Sequence, residues 1–192
     1  MISTDAAILS AIMVTSGTQT TPALPGGIFA WIICNSRKRS PIGGWLMFYY
    51  WQLYSGSLMS AIFFGINLNS YVPENFNVPN RFVLFIISAV PALLLLLIQV
   101  AVATILLTVR TSDMLLLLRW VIAVGIVAAV VEGVIDVAYF PDNLVFPILS
   151  SVQYLLWLAY FFRSTRVQHV FFVQDWDTAV NSIYPPKLKI AI

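Results

Sequence analysis

DMLLLLRWVIAVGIVAAVVEGVIDVAYF, residues 113–140, decides the fold class. From Met114 to Phe140 the run exceeds the ~20 apolar residues that a helix needs to cross the hydrocarbon layer of a bilayer. Lipid offers no partner to exposed backbone N–H and C=O groups, so such a run is predicted to be helical. Within it Gly125, Ala129 and Gly133 recur every four residues, a spacing that lets a second helix approach closely. Glu132 and Asp136 are one turn apart and share nearly the same angular sector as Gly125 and Ala129. The carboxylates therefore occupy the packing face rather than a lipid face.

Three further segments read the same way: Gly44 to Ile66, Phe82 to Val109, and Leu144 to Phe162. They are continuous apolar runs, not the alternating ten-residue strands of a barrel. The whole chain agrees, because 60% of its 192 residues are hydrophobic and only 9% are charged. A soluble domain carries about a quarter charged residues to hydrate its surface. The expected class is all-α, a polytopic four-transmembrane-helix bundle with a further short or kinked membrane-embedded segment near the N-terminus. Residues 1–39 form that membrane-embedded or interfacial extension, 40–172 the four-helix domain, and 173–192 a C-terminal tail. Short connectors predict antiparallel neighbours. Asp113 is the expected cap of the third span, and Pro91 and Pro147 are expected local kinks.

Charge placement predicts orientation. Arg37, Lys38 and Arg39 precede the first span, Arg110 follows the second, and Arg163 and Arg166 follow the fourth. With alternating spans all six fall on one side, at the lipid headgroups, and only Arg81 falls on the other. The six-cation side is expected to be cytoplasmic, together with the C-terminus. Arg119, one turn into the third span, is expected to snorkel to the headgroups. The N-terminal stretch MISTDAAILSAIMV lacks the basic region of a secretory signal and carries Asp5, so cleavage is not expected. The side on which the N-terminus lies stays open, because residues 1–35 fit either a kinked span or a re-entrant segment.

Polar side chains inside a span are costly and face protein or a water-filled cavity. Trp45, Tyr49, Gln52, Gly56 and Ser60 share a face of the first span. Ser88, Ala92, Gln99 and Ala103 do so in the second, and Ser150, Gln153, Trp157 and Tyr160 in the fourth. The expected interior thus combines Gln52, Gln99 and Gln153 with Glu132 and Asp136. Two readings of the acids stand side by side. In one, Glu132 carries a proton or cation and Asp136 sits at the mouth of its path. In the other, Glu132 is protonated or bonded to Gln99 or Gln153 as interhelical glue, and Asp136 pairs with Arg81.

Several function classes find no support. A net charge of +2 does not argue for nucleic acid. Cys34 is the only cysteine and His169 the only histidine, so a metal site of ordinary ligand spacing is not expected. His169 lies near Asp175 and Asp177, but proximity in sequence does not build a catalytic triad. No Walker or dinucleotide motif occurs. No cofactor and no catalytic residue is expected from this chain alone.

Four features together resemble one bacterial inner-membrane family. They are SPIGGWL at 40–46, the Asn-rich loop NLNSYVPENFNVPN at 67–80, the acid late in the third span, and YLLWLAYFFRSTRVQHVFF at 154–172. The family is the YdgK-like one, described as a domain of unknown function. Its members open on Ile-Gly-Gly-Trp-Leu, carry four transmembrane helices and close on Tyr-Phe-x-x-Ser-x-Arg-Val. The resemblance covers residues 40–172 and implies the four-helix fold and the inner membrane, but no activity. Residues 1–39 and the tail beyond 172 depart from the pattern. The tail, FVQDWDTAVNSIYPPKLKIAI, reads as a membrane-surface or partner-docking segment, with a disordered tail as the alternative. The expected partners are the bilayer and other membrane-protein subunits, contacted through helix faces and both extensions. The expected role is a structural or accessory subunit, and the competing one a small transporter or proton-coupled carrier using Glu132 and Asp136.

Overall fold

The computed structural model describes residues 24–66, 79–139 and 145–184. The expected features in 1–23, in the Asn-rich loop, in the turn before the fourth span and beyond 184 lie wholly or partly outside them. Among the described residues the chain is all-helical, without a strand. Helix α1 is Leu24–Ser36, α2 Gly44–Ile66, α3 Pro79–Thr108, α4 Ser112–Tyr139 and α5 Val145–Arg163. A single turn α6 (Thr165–Val167), a π-helical turn (Gln168–Val173) and the short helix α7 (Trp176–Ile183) follow. Helices α2 to α5 fall within three residues of the boundaries expected for the four spans.

Local chemistry sets the helix ends. Proline has no N–H to leave unsatisfied, so Pro79 suits the first position of α3. The cap of α4 is Thr111, whose hydroxyl accepts from the Met114 N–H at 3.4 Å. Asp113, expected in that role, lies inside the first turn, where its charge favours the helix dipole instead. Pro147 also differs from expectation. It stands in the first turn of α5, where backbone N–H groups lack intrahelical acceptors anyway, so it does not interrupt the helix.

Helix α4 is the spine, packed against α3 on one side and α5 on the other. Gly125 permits the α5 contact, because a Cβ there would stand 2.7 Å from the Tyr154 ring, whereas one on Gly133 would meet Pro147 at an ordinary 3.6 Å. Helix α2 meets α5 through large rings rather than small residues. Tyr49 packs edge-on against Trp157 and Phe161, with centroids 5.0 and 4.9 Å apart. One core joins all these elements, from Leu46 and Leu53 of α2 through Leu106, Leu118 and Ile122 to Phe171 and Trp176. Residues 173–184, grouped with the tail from sequence, thus lie against the helices, with Trp176 in that same core.

Two helical stretches, Phe82–Thr108 and Ser112–Ala138, are long and apolar enough to cross a membrane. Their most apolar windows are only 24% and 33% buried, so most of their Leu, Ile and Val side chains face outward. Helices α2 and α5 have 23 and 19 residues, of sufficient length but with more polar side chains.

Candidate functional site

The polar groups gather at three levels along the helices. The first is the end that carries the expected cytoplasmic cations. Three loops meet there: residues 37–43 before α2, 109–111 between α3 and α4, and the segment after α5. Arg166 joins them. It is 6% exposed, and its guanidinium donates to the carbonyls of Ser40 (2.9 Å) and Lys38 and to the Tyr184 hydroxyl (3.2 Å). The same guanidinium lies over the Trp176 ring at 4.6 Å. The Trp176 indole N–H donates to the Arg39 carbonyl at 3.0 Å, and the Gln174 amide donates to the Arg110 carbonyl at 2.7 Å.

Sequence position places Arg166 among the headgroup cations, and the structure corrects this. Arg37, Lys38, Arg39, Arg110 and Arg163 are exposed, whereas Arg166 is a buried clamp. The reason lies in unpaired carbonyls, since those of a helix C-terminus and the turn after it need donors from elsewhere. A planar fork of N–H groups serves several of them at once. Arg119 is corrected on the same ground. Rather than snorkelling, it donates to the Phe161 carbonyl in the last turn of α5 and lies over Phe162 at 4.4 Å.

The glycines of SPIGGWL make room for this clamp. A Cβ on Gly43 would overlap the Arg37 carbonyl. Gly44 has φ of +57°, which L side chains adopt at a cost, and its open face lies 3.5 Å from the Arg166 guanidinium. At the other partner, Ser164 is extended and its hydroxyl accepts from the Val167 N–H, turning the chain so that Arg166 points inward. SPIGGWL and the Arg-Ser-x-Arg-Val run are therefore two halves of one contact.

The second level is the one expected from the glutamines. Gln52, Gln99 and Gln153 do converge, around a cavity of ≈ 10 Å³ bounded by Tyr49 and Trp157. Gln99 is 2% exposed and donates to the Tyr49 hydroxyl at 3.0 Å. Gln52 and Gln153 also face outward, onto a groove of ≈ 440 Å³ between α2 and α5.

The third level holds the acids, and here the structure divides what the sequence grouped. Gly125 stands beside Tyr154, the neighbour of Gln153, so Glu132 lies seven residues, or ~10 Å, further along α4. Glu132 is 8% and Asp136 2% exposed, both on the packing face with Ala129. Among the described residues Asp136 Oδ2 has no hydrogen-bond partner, and the side chain of its expected partner Arg81 lies outside them.

His169 Nδ1 and Asp175 Oδ1 are 2.7 Å apart across the π-helical turn. The pair braces the turn. Sequence reasoning missed the clamp. Its only signal was the joint presence of Gly43-Gly44 and Arg166 in motifs far apart in the chain. Compared with family models, curated proteins and solved structures, the chain matches none.

Proposed function

We propose that the chain is a four-span protein of the bacterial inner membrane, with α2 to α5 as the spans, that serves as a non-catalytic accessory subunit of a membrane complex. The observation that carries this reading is the Arg166 clamp. Its guanidinium and the Trp176 indole hold separate loops to one another through their backbone carbonyls. The outward apolar faces of α3 and α4 support a lipid environment, and six cations at one end support a cytoplasmic C-terminus by the positive-inside rule. The YdgK-like resemblance, carried by SPIGGWL and the Arg-Ser-x-Arg-Val run, agrees with this reading. Gentle detergent extraction from the native membrane followed by native mass measurement tests it. A monomer with no co-purifying membrane protein would overturn it.

A second reading rests on one observation, the buried Asp136 oxygen, without a partner among the described residues, one turn from Glu132. Such groups inside a span mark ion and proton paths. In a proton-coupled carrier, Glu132→Gln abolishes flux in reconstituted vesicles, and unchanged flux would sink that mechanism.

A further inference from the structure

The groove between α2 and α5 has a composition that plain lipid packing does not explain. Its apolar walls include Trp45, Phe48 and Trp157, with Tyr160 nearer the cationic end. At the inner end stand two primary amides, Gln52 and Gln153, which also bound the internal cavity containing the Gln99–Tyr49 hydrogen bond. Gln153 is half-buried and makes no hydrogen bond among the described residues. Ten residues separate it from Arg163, ~15 Å along the helix and half the thickness of a hydrocarbon core.

An amide at that depth has no bulk water to bond, and a saturated acyl chain would leave it facing methylene groups at a cost in free energy. An occupant that relieves the cost must be apolar enough to enter from the bilayer and must carry an acceptor. The aromatic walls favour a flat, conjugated body, because rings pack offset-stacked or edge-on. We infer that the α2–α5 groove binds a lipid-soluble planar carbonyl compound of the quinone class, with a ring carbonyl accepting from the Gln153 amide at the inner end. The ring lies against Phe48 and Trp157, which pack on each other at 6.3 Å as one wall of the groove, and the aliphatic tail leaves through the open side into lipid. No redox step is required, since the site recognises the carbonyl and supplies no electron.

The inference rests on the transmembrane placement of α2 and α5, and one experiment separates the two. The full chain is reconstituted in phosphatidylcholine vesicles and titrated with decylubiquinone, read by tryptophan quenching, with decylbenzene as a probe that shares the apolar tail and ring but has no carbonyl. Decylubiquinone is expected to quench saturably, with decylbenzene failing to displace it. Gln153→Leu weakens binding about tenfold, the worth of one hydrogen bond in a dry site. Leu156→Trp, which fills the groove from an exposed position on its wall, abolishes binding without touching the core. Non-saturable quenching, displacement by decylbenzene, or unchanged affinity in both variants would overturn the site. Alkaline carbonate extraction of the same vesicles reads membrane integration independently. No binding by integrated protein overturns the site alone, and release into the soluble fraction overturns both readings.

Discussion

Replacing Arg166 by Met is the most informative single perturbation. Methionine keeps the long unbranched stem and so leaves little cavity, which isolates the loss of the guanidinium. Two hydrogen bonds to backbone carbonyls disappear, those to Ser40 at 2.9 Å and to Lys38. Hydrogen bonds to a charged group contribute about 1.5–3 kcal/mol each, giving roughly 3–6 kcal/mol before compensation. The cation–π contact with Trp176 at 4.6 Å adds about 1 kcal/mol. Against this, the variant no longer holds a desolvated cation, a cost of several kcal/mol per buried ion. A net destabilisation of about 2–4 kcal/mol follows. Arg166→Lys keeps the charge but not the fork and is expected to recover about half of the loss. The assay is reversible unfolding in mixed micelles, paired with limited proteolysis of segment 164–184, which the variant should expose. A change below about 0.5 kcal/mol in Arg166→Met, or a Lys variant equal to wild type, would refute the clamp.

Gly125→Ala sets a methyl 2.7 Å from the Tyr154 ring and should cost about 1–3 kcal/mol in the same unfolding assay, with Tyr154→Leu in the same chain restoring most of it. Gly43→Ala meets backbone rather than a movable side chain, so it should lower expression and folding yield more than Gly44→Ala, whose penalty is left-handed strain of roughly 1 kcal/mol. A double-mutant cycle of Tyr49→Phe with Gln99→Leu should give a coupling of ~0.6 kcal/mol, typical of interhelical hydrogen bonds in membranes, and zero coupling would show the 3.0 Å contact to be energetically idle. His169→Ala breaks a half-exposed pair and should cost under about 1 kcal/mol while speeding proteolytic cleavage near Gln174, where the chain is left-handed.

The helices were legible because a bilayer-length apolar run leaves the backbone one economical choice, and α2 begins and ends where the run from Gly44 to Ile66 does. The convergence of Gln52, Gln99 and Gln153 was legible too, since a polar side chain within an apolar helix must turn inward and angular position tells which way that is. The level of each group was not legible. Faces follow from 100° per residue, but which residue of α4 meets which residue of α5 depends on a local fit such as Gly125 against Tyr154. That is why Glu132 and Asp136 were grouped with the glutamines although they stand further along the axis. Arg119 and Arg166 were misassigned for a different reason. A cation near a helix end reads as a headgroup contact whenever its target is invisible, and backbone carbonyls of a distant turn leave no mark on the sequence.

The position of the clamp bears on the choice between a subunit and a carrier. A carrier that moves protons through Glu132 and Asp136 must expose its site to each side in turn, which requires one end of the helices to part. Arg166 binds the loop before α2 to the segment after α5, and Gln174 ties that segment to the turn between α3 and α4. Parting the helices at this end would strip donors from the Lys38, Ser40, Arg39 and Arg110 carbonyls together. Water can replace some of these bonds, but the burial of Val167, Phe171 and Trp176 would be lost at the same time. Each of those apolar side chains is worth about 1.5–3 kcal/mol of burial, so opening carries a toll that a transport cycle must meet at every turnover. A subunit that holds a fixed surface toward a neighbour meets it once, on folding. The clamp therefore weighs toward a static role, and the Arg166→Met variant separates the cases: a carrier loosened at its closed end turns over faster, whereas a subunit so loosened assembles less well.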